Sequence, residues 1–171
     1  MSVRDRHQRE RLARRGAILA AAMSVFAAHG LDGATIEMIA RQAEVAVGTI
    51  YLYFSSRDEL FLTLMVDWVG GLRDRYAEIQ ARALDPLEEL RAMAGAYIEY
   101  LDRSRGLFVA QLSVSFSKLP TRLGRKEELD RFEEMRTLGR ECFRLWADSV
   151  ARVFDGYTGA RGGAATLSTV M

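Results

Sequence analysis

A single cysteine in 171 residues rules out an internal disulfide, and two histidines, His7 and His29, leave no ligand set for a zinc site. Cys142 therefore reads as a small core residue, and no metal or cofactor is expected. There is no Ser-His-Asp or Cys-His set at plausible spacing, no phosphate-cradling glycine loop behind a strand, and no His-Glu-x-x-His, so an enzyme is not expected. No apolar stretch approaches the ~20 residues that span a bilayer. The arginines at 4, 6, 9, 11, 14 and 15 are followed by an amphipathic, alanine-rich segment over residues 18–28 and not by a signal-peptide core. These absences set aside a membrane protein and point to the cytoplasm. A net charge of +1 also argues against a nonspecific polycation.

What is present is a globular balance of 49% apolar and 27% charged residues, enough for one helical unit or a small DNA-binding domain fused to a larger helical one. The charge is uneven. Residues 1–57 carry eight basic and five acidic side chains, net +3, which leaves net −2 for the rest. That basic excess flanks residues 35–54, where phosphate contacts would use it. Thr35 suits an N-cap, and Ile36, Ile39, Ala40 and Ala43 share one face of a first short helix. In a second short helix Val45, Ile50 and Phe54 face back, while Ala46, Val47, Gly48, Thr49 and Tyr51 lie at its exposed start. This is helix-turn-helix spacing, in which the second helix reads base edges in the major groove.

The run Ala34-Thr35-Ile36, Ile39-Ala40, Val45 through Phe54 and Arg57-Asp58-Glu59-Leu60 resembles the N-terminal signature of TetR-family transcriptional repressors over residues 14–64. The resemblance implies an all-α fold: a three-helix DNA-binding domain at 1–55, then a helical ligand-binding and dimerisation domain. It implies a double-stranded operator as partner, contacted by Thr35, Ala46, Val47, Gly48, Thr49, Tyr51, Leu52, Tyr53 and Arg57. Tyr53 and Arg57 match positions that grip the DNA backbone, and Arg57 stands where lysine is commoner. Ala46, Val47 and Leu52 replace more polar residues, so contacts to thymine methyls would substitute for polar readout there.

Elsewhere the pattern predicts a basic arm over 2–8 that is either flexible or a frayed terminus. A helix follows from about Glu10 to His29, burying Leu12, Ile18, Leu19, Ala22, Val25 and Phe26 and stopped by Gly30. A long helix from Ser55 or Ser56 to about Ala83 has a plausible bend at Gly70-Gly71. The next helix opens at Asp85-Pro86 with Leu87, Leu90, Ala94, Tyr97, Ile98 and Leu101 inside. Residues 107–117 favour a helix over a strand, and a last helix runs from about Lys126 to Phe154.

Trp68, Met93, Tyr97, Tyr100, Phe108, Leu112, Phe116, Phe132, Met135 and Trp146 are either plain core or, by the resemblance, the lining of a pocket for a small, hydrophobic effector. Glycine-rich residues 156–171 read as a disordered tail after a regulatory domain at 56–155. The family's further dimer helices have no counterpart there, so this member of a homodimeric family is expected to dimerise weakly or not at all. The function expected is an operator-binding repressor released by its effector. The competing reading is a helical ligand-sequestering or protein-interaction module with little DNA binding.

Overall fold

The computed structural model describes residues 3–104, 119 and 122–167, and no strand occurs among them. The fold is all-α. Among the described residues the helices are α1 (Val3–Gly33), α2 (Ile36–Gln42), α3 (Val47–Tyr51), α4 (Arg57–Ala81), α5 (Pro86–Arg103) and α6 (Lys126–Leu167). The chain divides into two compact units, Met1–Asp67 with Arg103–Met135, and Trp68–Asp102 with Arg136–Met171. Both α4 and α6 begin in the first unit and end in the second. The expected stretch 107–117, with Phe108, Leu112 and Phe116, lies outside the described residues.

In the first unit Ile18, Leu19, Ala22, Val25 and Phe26 of α1 are buried, as their spacing predicts. Ile36, Ile39, Ile50, Phe54, Leu60 and Phe61 are buried in the same unit, and the Phe26 and Phe61 rings pack edge to face at 5.5 Å. Each such fully buried side chain contributes about 1.5–3 kcal/mol. Two expectations for α1 need correcting. Leu12 is 61% exposed, and the supposed flexible arm is helical from Val3, because Arg6, Gln8, Arg9, Glu10 and Arg11 are competent helix formers and Asp5 sets a carboxylate in the first turn. Gly30 does end the regular helix: at φ 68° and ψ 177° it occupies a region that only glycine enters freely. Arg4–Gly33 reaches the length and, over one stretch, the apolar content of a membrane span, but its Ile18, Leu19, Val25, Phe26 and Leu31 are buried in the core of this unit.

Helix starts follow their caps. The Thr35 hydroxyl accepts from the Met38 amide at 3.3 Å, and the Asp85 carboxylate from the Leu87 amide at 3.0 Å. At α4 the Ser56 hydroxyl accepts from the Glu59 amide while the Glu59 carboxylate accepts from the Ser55 amide, a reciprocal pair of the capping-box kind. Between α2 and α3 the chain turns through a Schellman arrangement: the Glu44 amide donates to the Arg41 carbonyl and the Val45 amide to the Ala40 carbonyl, with Glu44 at φ 54°.

The second unit buries Leu72, Tyr76, Ile79, Met93 and Ala96, with Trp68, Tyr100, Cys142, Leu145 and Trp146 packed against them. Here α4 runs unbroken through Gly70-Gly71 where a bend was expected. Gly71 answers to packing instead, since a Cβ there would stand 2.8 Å from the Tyr100 hydroxyl. The expected inner face of α5 is also rotated. Leu87, Tyr97 and Ile98 are exposed, and the buried line is Glu89, Met93 and Ala96. A buried carboxylate makes the difference: Glu89 accepts from the Ser149 hydroxyl and the Arg152 guanidinium, which settles a charge that apolar periodicity places in water. On α6, Leu129 is 43% exposed. The helix also continues to Leu167, so the reading of a disordered tail is corrected over 156–167. Glycine lowers helix propensity by ~1 kcal/mol relative to alanine, yet an established helix needs only propagation and not a fresh nucleus.

Candidate nucleic-acid interface

The short helix α3 is held from one side only. Ile50 is fully buried and Phe54 nearly so, anchoring both ends of the Ile50–Phe54 turn in the first unit. The opposite face is bare: Ala46 and Gly48 are exposed, Val47 is 36%, Tyr51 53% and Leu52 75% exposed. Large apolar side chains left open on a five-residue helix do nothing for its own packing. A Cβ at Gly48 would meet nothing within 4 Å, so internal packing does not require glycine there. Thr49 and Tyr53 are half-buried.

Of the nine residues expected at the interface, Thr35, Ala46, Val47, Gly48, Tyr51 and Leu52 are exposed on α2 and α3 or beside them. Thr35, Tyr51 and Arg57 also line one open cleft of about 430 Å³, together with Ser55, Ser56 and Arg125. Arg57 is the exception in its bonding. Its guanidinium pairs with Asp58 at 3.1 Å and donates to the carbonyls of Ala34 at 3.1 Å and Asp32 at 3.4 Å. It holds the loop that leads into α2.

Residues distant in sequence complete this region and were not foreseen. The Arg122 guanidinium reaches Asp32 at 2.7 Å and Asp58 at 3.9 Å, Arg125 donates to the Ser55 carbonyl, and Glu128 accepts from the Ser56 hydroxyl at 2.6 Å. The Glu128 carboxylate also accepts the amides of Gly124 and Arg125, capping α6. Burial would raise its pKa, but these three donors outweigh burial and hold it below the ordinary glutamate value. Partners 70 or more residues apart leave no local signal. The guanidinium carbons of Arg11 and Arg15 of α1 lie over the rings of Tyr53 and Phe54, 5.9 and 5.1 Å from the centroids, within cation–π range.

The ten residues expected at an effector pocket separate. Trp68, Met93, Tyr97, Tyr100 and Trp146 belong to the second unit; Phe132 and Met135 belong to the first and are buried there. Trp68 meets Tyr97 and Tyr100 edge-on at 6.4 Å each, and its indole N–H donates to the Tyr100 carbonyl at 3.4 Å. Tyr76 lies 6.2 Å from Trp146. Burial pushes the Cys142 thiol up to about 11, against the pull of Arg73, so it is an unreactive packing group near neutrality, as its sequence context suggests. No cluster of metal-ligating side chains occurs among the described residues.

A capped helix, a tight turn and a second helix bare on one face define a helix-turn-helix. Residues 18–64 match the bacterial regulatory proteins of the tetR family. Over 135 residues the chain is 27% identical to the transcriptional repressor KstR2 of Mycolicibacterium smegmatis, covering 79% of this chain and 62% of that one. It thus spans less than two thirds of that relative. The solved ketosteroid transcriptional regulator KstR2 of Mycobacterium tuberculosis superimposes with a TM-score of 0.67 at 25% identity, over 84% of this chain and 69% of its own. The regulator FadR of Bacillus subtilis, solved with stearoyl-CoA, gives a TM-score of 0.56 at 25% identity, over 74% and 64%.

Proposed function

We propose that the chain is a sequence-specific transcriptional repressor that binds a double-stranded operator and leaves it when a hydrophobic effector binds. The observation that carries this reading is the bare face of α3, where Ala46, Val47, Gly48, Tyr51 and Leu52 have no packing role while Ile50 and Phe54 fix the helix in place. In this reading residues 1–55 are the DNA-reading part and the helical residues after them the regulatory part. Thr49 and Tyr53 flank the reading face and contact bases or phosphates.

The effector we propose is a molecule with a long acyl chain, such as a fatty acyl-CoA. Its support is the aromatic and apolar set around Trp68, Met93, Tyr100 and Trp146, together with the likeness to a regulator solved with stearoyl-CoA. Release requires that the effector bind the DNA-incompetent arrangement more tightly, by about 1–3 kcal/mol for a typical coupling. The working form in the cytoplasm is a pair of chains on two half-sites. Phe143 and Phe154, three turns apart on one face of α6 and 73% and 66% exposed, support self-association. The expectation of weak dimerisation rested on a disordered tail and loses that footing where α6 continues.

The experiment is operator selection from a random duplex library, followed by titration of the selected complex with palmitoyl-CoA and with free CoA. We expect palmitoyl-CoA, and not CoA, to release the DNA and to change the emission of Trp68 and Trp146. Recovery of no enriched sequence would favour a helical interaction module that does not read DNA.

A further inference from the structure

The first four turns of α1 carry more arginine than a helix needs for solubility, and the arginines are not spread evenly. At 100° per residue, Arg4, Arg11 and Arg15 fall within about 40° of one another, while Arg14 lies about 60° beyond Arg11 and Arg6 and Arg9 point elsewhere. The acidic residues of this segment, Asp5 and Glu10, lie off the stripe on either side. Arg4 and Arg11 are exposed and Arg15 half-exposed, and a cleft of about 440 Å³ runs along the same face between His7, Gln8, Arg11, Leu12 and Arg15.

The stripe is aimed by two ring contacts. Arg11 lies over Tyr53 and Arg15 over Phe54, the residues that leave the C-terminal end of the reading helix. A guanidinium held over a ring face is oriented by it, and loses less side-chain freedom when its N–H groups meet an oxyanion. Helical geometry continues the line outward from that anchor to Arg4, about 16 Å along the axis, which matches about five base pairs of duplex.

We propose that this stripe is a second DNA-contacting surface, in which Arg4, Arg11 and Arg15 follow the phosphates of duplex lying beyond the half-site that α3 reads. The proposal rests on the operator reading and extends its footprint. It makes no use of base identity, so the flanking sequence is free while its presence is required.

The test uses the full chain and fluorescent duplexes that carry the selected site with flanks lengthened from none to eight base pairs of random sequence. Wild type should tighten about tenfold as the flanks grow to about five base pairs and then level off. The triple variant Arg4→Gln, Arg11→Gln, Arg15→Gln should lose that gain, with its salt slope lower by about two to three. Arg9→Gln removes a charge from the other side of the helix and should keep the flank dependence. Arg11→Lys with Arg15→Lys retains the charge, guards against loss of folding in the triple variant, and should keep most of the slope. A wild type indifferent to flank length, or a triple variant with the wild-type slope, overturns the surface while leaving operator binding intact. A wild type that binds no duplex overturns the operator reading itself.

Discussion

Glu44 is the residue on which the α2–α3 turn depends, and it is an awkward choice. At φ 54° its Cβ crowds the backbone, at a cost of roughly 1–2 kcal/mol that glycine avoids. Glu44→Gly should raise the unfolding free energy by about 0.5–1 kcal/mol, since glycine gives back part of the gain as chain entropy; urea melts check it, and a lower midpoint would mean that the carboxylate makes a contact of its own. Arg57 tests the limits of resemblance. Its place in the signature implies a backbone grip, whereas its guanidinium is engaged with Asp58 and the Ala34 and Asp32 carbonyls. Arg57→Ala should therefore lower the melting temperature with the salt slope of DNA binding unchanged, and a slope reduced by ~1 would return it to the phosphate contacts. Exposure at Val47, Tyr51 and Leu52 was legible in the sequence because apolar residues off the Ile50–Phe54 face have nowhere to pack. Glu44 was not legible, because a non-glycine residue gives no warning of a positive φ.

Among the elements, α6 departs most from its sequence reading, and Glu128 shows why. A glutamate in a first helical turn reads as a local cap, which it is; its bond to the Ser56 hydroxyl, 72 residues away, has no trace in either stretch of sequence. One side chain thereby caps α6 and ties it to the start of α4. Glu128→Ala should destabilise the protein by about 1.5–3 kcal/mol, the range for hydrogen bonds to a charged group. Its folded pKa lies below the unfolded value, so this stability is present in full above the unfolded glutamate pKa and drains away as the pH falls through the folded one. Acid melts of wild type against Glu128→Gln read the difference; equal acid sensitivity would remove this carboxylate from the account. The same blindness to long-range partners misplaced the face of α5, where Glu89 is buried because Ser149 and Arg152 meet it. Helix positions were legible from caps and period; which face goes inside was legible only where no buried charge intervened.

At the scale of the whole molecule, two compact units share α4 and α6, each helix continuous across the division. On the proposed reading, a ligand in the second unit alters the first by moving either helix, and the residues at their N-terminal ends, Ser56, Arg57, Arg125 and Glu128, are joined to one another or to the loop before α2. On the same proposed reading, the bare face of α3 reads base sequence. Anisotropy titrations at one fixed salt concentration, with the selected operator and a scrambled duplex of equal length, test it most directly. Wild type should prefer the operator by about 10³-fold or more. Tyr51→Ala should lose about 1–3 kcal/mol of that preference while its affinity for the scrambled duplex stays within about twofold. Equal loss on both duplexes, or a wild type with no preference to lose, would mean that this face does not read sequence.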